Sequence, residues 1–574
     1  MTPPPVLVVG AGPTGLTAAC ALWSLGVPCR VVDRRSGPGL APKGLVLWSG
    51  ALECLHRLDV ARRIADEALP LAGASYWSKG RRIGGVRFGG LRGTAFPGPL
   101  CVPQPATERA LYARLTELGG TVEWETDLTG VTEAAEGATG GATGDGVSVE
   151  LRSANGTERL TVPWLIAADG ARSTVRESVG IPFEGHTFDR TFLIGDGLLT
   201  GGPDEAEVQH HISPDGVLVI VPQPRGHRIF FDLASDGRTE PPTVELLQRL
   251  LDERGPGGLR FHDAWWTSRF QVHAKVAPRF RAGRVLLAGD AVHAHTTAGG
   301  QGLNTGVQDG YDIGWKLASV VRGQDPALLD SFEAERRPAS VRAVRNGDQQ
   351  IRMWLLRHPL ARAVRDTVLR GLSGAGLLES RVVPLLAQLD LDLSKSPAVA
   401  DLEGAAGAPR GVRTGRRAPD AALVPVHGAT ALTLHGHLAA GRHTLLAYGG
   451  RAAGEQAARA GTVLRDRGAG DAVTVVWIQP PGPAADPGAA IAAGCDIARE
   501  ADSGGLRGGG AGWLAWIRPD GVVGARAGLT GLDALLDRLP RDPAPQVPLV
   551  RGPVVREPAL RDPVVRAEAP SRRP

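Results

Sequence analysis

The hexapeptide Gly10-Ala11-Gly12-Pro13-Thr14-Gly15 constrains this chain more than any other stretch. It fits G-x-G-x-x-G and falls between an apolar β-branched run, Val6 to Val9, and a segment of helical apolar spacing over 16–25. Val31 and Val32 open a second strand, which Asp33 closes. Such a βαβ unit places a ligand at the carboxyl end of its first strand. Gly10 permits the tight turn, Gly12 lets a pyrophosphate approach the backbone, and Gly15 lets helix and strand pack closely, while the helix N-terminus offers N–H groups to the phosphates. Asp33 is placed to accept from an adenosine ribose hydroxyl. The motif alone does not separate one dinucleotide from another.

At 574 residues the chain exceeds the roughly 250–300 at which a single core stops growing, which implies two or three domains. The 64 Lys+Arg against 60 Asp+Glu leave +4, and residues 541–574 alone hold seven Arg against four acids, a surplus of three. The body is therefore almost neutral, and nucleic acid is not an expected partner. Cys20, Cys29, Cys54, Cys101 and Cys495 form no Cys-x-x-Cys pair, and their odd number leaves at least one unpaired, as for buried thiols in a reducing cytoplasm. Met1 to Gly10 lacks a charged signal-peptide start, and no apolar run of about 18 residues appears, so a cytoplasmic protein without a membrane span is expected.

Along the chain, the Gly/Ala/Thr-rich run 134–146 reads as an exposed hairpin loop. From Pro182 to about His273 short alternating strands suit an inserted antiparallel sheet. Val285 to Ala288 leads into a glycine-rich loop and a long helix, and 330–383 keeps helical spacing. Residues 404–419 read as a linker, 421–539 as a separate α/β unit, and the proline-rich tail, with Pro-Val-Val-Arg beginning at Pro553 and Pro563, as disordered.

Two further stretches carry a resemblance. Leu165-Ile166-Ala167-Ala168-Asp169-Gly170-Ala171-Arg172-Ser173-Thr174-Val175-Arg176 is an apolar strand ending in Asp-Gly, and Gly283-Arg284-Val285-Leu286-Leu287-Ala288-Gly289-Asp290-Ala291 ends in Gly-Asp. With the first turn they resemble the three fingerprints of the class A flavoprotein monooxygenases, the para-hydroxybenzoate hydroxylase-like group. The resemblance runs from Val6 to about Ala339, including Glu335-Arg336-Arg337-Pro338, and Gly415-Arg416-Arg417-Ala418-Pro419-Asp420 resembles the start of the thioredoxin-like third domain of aromatic polyketide hydroxylases. It implies an α/β fold with a Rossmann-like FAD-binding domain (1–181 and 274–403), an inserted antiparallel-sheet substrate domain (182–273), a thioredoxin-like domain (404–540) and a disordered tail (541–574). The implied activity is an FAD-dependent monooxygenase that consumes NADPH or NADH as a transient co-substrate and uses O2. It would hydroxylate a small aromatic molecule, best a polycyclic polyketide, through a flavin C4a-hydroperoxide. Baeyer-Villiger insertion or epoxidation on the same scaffold, and a reductase or oxidase without oxygen insertion, are the alternatives; the chain is expected as a monomer or homodimer.

The same resemblance assigns Asp290 to a ribityl hydroxyl of FAD. It sets the loop Gly299-Gly300-Gln301-Gly302-Leu303-Asn304 against the flavin pyrimidine edge, where the positive end of a helix stabilises a reduced flavin. Pro13, Thr14, Arg34, Gly300, Gly302, Leu303 and Asn304 join the cofactor set, as does Gln104 beside the ribityl chain or ring. Asp169 braces its own loop and serves the cofactor, and Arg172 and Arg176 are either cofactor contacts or surface charges. The chain departs from the family in carrying Lys43 where Arg is common, Thr296-Thr297 where two prolines are common, and Asp312 where Asn is common. These bear on the flavin's resting position. His293 and His295, an i, i+2 pair with no nearby set of acids or thiols, make a poor metal site. His210 and His211 face the substrate pocket, the solvent or the core, the last two being the commoner outcome, and no residue is identified as a catalytic base.

Overall fold

The computed structural model describes residues 5–133, 146–201, 206–235, 237–295, 298–402, 411–429, 432–438, 441–482, 485–501, 506 and 512–539. Most of the expected hairpin loop, Thr296-Thr297, half of the expected linker and the proline-rich tail lie outside these residues.

The first layer is a parallel sheet in the spatial order Val285–Leu287, Trp164–Ala167, Val6–Val9, Cys29–Val32, Val122–Glu123, with Arg281–Ala282 antiparallel at one edge. Strands covered on both faces read as continuous apolar runs rather than alternating ones. Val6–Val9 and Trp164–Ala167 are accordingly buried at every position. Pro13 at the first position of the helix Pro13–Ser24 gives up only an N–H with no intrahelical acceptor. That helix packs along Gln301–Val321, whose Gly310 and Gly314 let the two backbones close up. The ends of the strands are stitched in register: Gly10 N–H donates to Val32 O (2.8 Å), Ala168 N–H to Val9 O (2.8 Å) and Ala288 N–H to Ala167 O (2.9 Å). The three glycine-containing motifs thereby emerge side by side at one edge.

The second layer is an eight-stranded sheet built on the long strands Glu184–Thr200 and Arg260–Val276. It is mixed rather than purely antiparallel, because Glu207–Ser213 runs parallel to Gly73–Ser78. It also reaches beyond 182–273 in sequence, taking in Gly73–Ser78, Arg81–Arg87 and His293–Ala294. One face carries the helix Val244–Arg254 over Leu193, Leu218, Ile229 and Phe231. The other, with Phe192, Ile194, Val219 and Phe230, meets Ile351 and Trp354 of the helix Asp330–Trp354.

A third, seven-stranded mixed sheet lies in 400–528. It is docked against the back of Gln301–Val321 by buried polar contacts. Tyr311 Oη donates to Pro519 O (3.0 Å), and Trp516 Nε1 donates to His443 Nδ1 (3.1 Å), which directs the His443 Nε2 proton to Ser319 Oγ (3.3 Å). All five cysteines are free and buried, and burial pushes the thiol of Cys20 up to about 12. Among the described residues no helix is long and apolar enough to cross a membrane.

Candidate functional site

At the carboxyl edge of the parallel sheet Gly10 adopts φ +102°, and a Cβ there would stand 2.2 Å from Ala168 O. Gly12, two residues on, would put a Cβ into open space with nothing within 4 Å. Gly10 is thus required by the protein itself, whereas Gly12 leaves open space in which a ligand could rest. The helix that follows has no side-chain cap, so its first N–H groups remain available to an anion. A Gly12→Ala variant should therefore weaken FAD binding by more than about ten-fold, roughly 1.4 kcal/mol, while the melting temperature of the FAD-free protein stays unchanged. Gly10→Ala should lower that temperature as well. Fluorescence titration with FAD and thermal melts of the stripped protein separate the two effects, and equal behaviour of the variants would contradict the assignment.

Asp290 lies in the turn whose Gly289 packs against Thr14 of the first glycine motif. It is exposed, yet enclosed by enough protein to raise its carboxyl above the ordinary value by desolvation, against the opposing pull of His293 and Lys43. An accessible carboxylate sunk among protein walls, with a cation across from it, matches a hydroxyl-bearing chain such as ribityl. Asp169 offers a second vacant acceptor: Oδ2 takes the Val175 N–H (3.2 Å), while buried Oδ1 has no partner. Gly300, in the left-handed region, caps Gln301–Val321 without a side-chain bond. His295 packs beside Gly302 with a buried, unpartnered Nδ1. Open backbone, an enclosed acid and orphaned polar atoms along one edge fit FAD.

Several of the expected contact residues have partners within the protein. The Asp33 carboxylate is filled: Oδ2 accepts from Ala11 N–H (2.7 Å) and Arg35 Nη2 (3.1 Å), Oδ1 from Arg35 N–H (2.8 Å) and Nε (3.1 Å). Its roughly four lone-pair sites leave none for a ribose unless Arg35 moves. Arg34 is exposed, and Arg35, not singled out from the sequence, is the residue turned inward, reaching Glu108 as well (3.1 Å). Asn304 has no free side-chain group, since Oδ1 accepts from Trp48 N–H (2.7 Å) and Nδ2 donates to Val46 O (2.8 Å) and Gly300 O (2.7 Å). It braces the glycine loop. Gln104 spends its oxygen on Gly44 N–H (3.0 Å) and one amide proton on Glu108 (2.9 Å), beside Leu303, so Lys43–Gly44, Gln104 and Leu303 meet at one point. Arg172 is exposed, but Arg176 is neither a surface charge nor directed at the cleft. It is buried and ties Ala171 O (3.1 Å) to Ala291 O (3.0 Å).

Two buried networks hold this edge, and neither was visible in the sequence. Asp309, far along Gln301–Val321, accepts from Gly289 N–H (3.1 Å), His293 Nε2 (2.6 Å) and Arg336 Nε (2.8 Å). His293 Nδ1 in turn meets His295 Nε2 (2.8 Å), so both nitrogens of His293 are engaged within the protein. Burial, together with the neighbouring His293, holds His295 far below its ordinary value, so it is neutral. On the second sheet Arg228 forms a two-pronged pair with Asp196 (2.7 and 2.8 Å) and also donates to the carbonyls of Lys43 (3.0 Å) and Pro42. That clamp ties the Lys43 loop to the second sheet. Partners 32 and 185 residues apart leave no local trace in the sequence.

Comparison with known proteins agrees with this geometry. Residues 4–347 match the family described as FAD binding domain. Over 564 residues the chain is 34% identical to the 6-methylpretetramide 4-monooxygenase of Streptomyces rimosus, covering 94% of this chain and 95% of that one. The structure of the OxyS anhydrotetracycline hydroxylase from Streptomyces rimosus superposes with a TM-score of 0.71 at 29% identity over 95% of this chain and 100% of that one. The aklavinone-11 hydroxylase, solved with FAD and aklavinone, does so with a TM-score of 0.69 at 25% identity over 93% and 98%. This chain therefore belongs to the FAD-binding monooxygenases that include the aromatic hydroxylases.

Proposed function

We propose that this enzyme hydroxylates a polycyclic aromatic polyketide at the expense of NADPH or NADH and O2. The observation that carries the reading is the convergence of Gly12, Asp169, Asp290 and the uncapped start of Gln301–Val321 on one cleft, which the second sheet's Arg228 clamp adjoins. FAD held there would supply the redox chemistry of the overall reaction, in which NAD(P)H and O2 are consumed, one oxygen atom enters the substrate and the other leaves as water. Gly10 to Gly15 would hold the pyrophosphate, with Pro13 and Thr14 opening the helix behind it, and Asp290 a ribityl hydroxyl. The helix end at Gly300, Gly302 and Leu303 would offset negative charge on the reduced ring, and Lys43 adds a cation on the opposite wall. The apolar face of the second sheet excludes water from the reacting atoms. Asp33 serves the adenosine end only if Arg35 swings aside.

The tetracycline and aklavinone oxygenases among the relatives support a substrate of several fused rings. Divisions near 181, 273 and 403 would separate the cofactor unit, substrate sheet and third unit, with Gly73–Ser78, Arg81–Arg87 and His293–Ala294 joining the second sheet and Ala400–Asp401 the third. A thioredoxin-like reading of the third is supported by the parallel strands His443–Gly449 and Val473–Gln479, joined through the helix Arg451–Asp466 and followed by the hairpin Gly512–Ile517 with Val523–Gly528. Lone Cys495 leaves it no dithiol chemistry. The enzyme acts in the cytoplasm as a monomer or homodimer.

Purified protein should be yellow, should oxidise NADPH faster when hydroxylated anthraquinones or tetracyclic ketones are added, and should release a product heavier by one oxygen atom taken from labelled O2. Colourless protein that refuses added FAD ends the reading. NADPH oxidation without labelled product would favour the reductase or oxidase alternative.

A further inference from the structure

On the second sheet, His210 is 7% exposed and Trp354, at the end of the helix Asp330–Trp354, is 2% exposed. Their rings lie 5.2 Å apart, and His210 stacks on Tyr76 at 4.9 Å. His210 Nδ1 is buried and has no partner. In the tautomer protonated on Nε2, Nδ1 presents a bare lone pair. Trp354 Nε1, which can only donate, is also without a partner. A lone acceptor and a lone donor side by side in an aromatic cluster are each costly to bury, and native interiors seldom leave such atoms unpaired.

Their position relates them to the cleft. The strand registers set Tyr76, His210, Val219, Phe230 and Ile194 in one row across the sheet. The next row on the same face, about 7 Å away, holds Val208, Val221, Arg228 and Asp196. Arg228 is the residue that grips the Lys43 loop. Trp354 lies one helical turn beyond Gln350, whose Oε1 would be 3.4 Å from a Cβ on Gly299 of the glycine loop. The pair thus stands between the two loops that bound the cofactor cleft. Tyr76, Val208, Val221, Trp266 and Phe270 on this face are only partly buried.

We propose that His210 and Trp354 bind a phenolic or enolic hydroxyl of the substrate, His210 Nδ1 accepting its proton in a hydrogen bond and Trp354 Nε1 donating to its oxygen. This rests on the aromatic substrate class proposed above. A hydroxyl satisfies both atoms, whereas a ketone or ether satisfies Trp354 alone. Burial lowers His210 to about 4, which keeps it neutral and makes complete removal of a phenol proton unfavourable. The pair therefore orients the ring and leaves the proton on oxygen.

The test compares equilibrium binding of a β-hydroxyanthraquinone with that of its β-methyl analogue, equal in size, to the FAD-loaded full-length protein without NADPH. Wild type should prefer the hydroxyl compound by at least about ten-fold, as sites built to bond a hydroxyl do. His210→Leu should abolish the preference and Trp354→Phe should reduce it, with FAD content unchanged. A wild type without preference, or a preference that survives in both variants, overturns the proposal. Because binding is read without turnover, failure here is distinct from failure to hydroxylate any aromatic compound, which would strike the functional reading instead.

Discussion

An Arg518→Met variant is expected to lose about 3–5 kcal/mol of folding stability, the usual cost of removing one partner from a buried ion cluster. Arg518 stands in the turn between the last two strands of the third sheet, with a side chain that is 0% exposed. It donates to both oxygens of Glu335 (2.7 and 2.8 Å) and pairs with Asp520. Lys316, equally buried, reaches the same Glu335 (2.7 Å) and Asp312 (2.8 Å). Arg518 and Lys316 hold the Glu335 carboxyl far below the usual carboxylate range. Without Arg518, Lys316 alone faces two carboxylates that are already out of water, and the nearby Asp520 loses its partner. The strain falls on the contact between the third sheet and Gln301–Val321, the helix whose far end forms the glycine loop. Denaturant unfolding should show the loss, and the double variant Arg518→Met with Glu335→Gln should recover part of it, because it also removes the stranded charge. A single-variant loss below about 1 kcal/mol, which is the scale of an exposed pair, would mean that the cluster is wet and the docking rests on apolar contacts.

The position of Glu335 shows where sequence reasoning reached and where it stopped. Glu335-Arg336-Arg337-Pro338 was legible as part of a family pattern, but the division of labour inside it was not. Glu335 turns to the third sheet and Arg336 to Asp309, and partners 183 and 27 residues away leave no periodic trace. The first βαβ unit was legible because its signals are local: apolar runs, a glycine turn and a helical repeat share one short stretch. The convergence of the three motifs followed from parallel strands delivering their carboxyl ends to one edge. The surroundings of Asp33 were hidden for the opposite reason. The pattern gave the acid its place, while Arg35, two residues on, supplied a competitor that only side-chain geometry could reveal. His210 was likewise a histidine on a strand until the register placed it beside a tryptophan 144 residues away.

Asp309→Asn should be the most damaging conservative substitution at the cofactor edge. The carboxylate joins Gly289 of the Gly-Asp turn, His293 and Arg336, so its neutral amide leaves the buried guanidinium uncompensated, again at about 3–5 kcal/mol. An inserted amide proton would also face the donors that now converge there. The turn it anchors carries Asp290, so FAD should be lost along with stability. The pH dependence identifies the cause. Despite its burial, Arg336 and His293 lower the Asp309 carboxyl to about 2 in the folded chain, against an ordinary value of 3.8. A folded value below the unfolded one means stability that is fully present above about pH 4 and is lost as the pH falls toward 2. The gap between wild type and Asp309→Asn should accordingly be constant from neutrality down to about pH 4 and then narrow, because protonation disarms the same carboxylate in the wild type. Denaturant titrations across that range measure it, and a gap that stays flat down to pH 2 would show that shape rather than charge holds the turn.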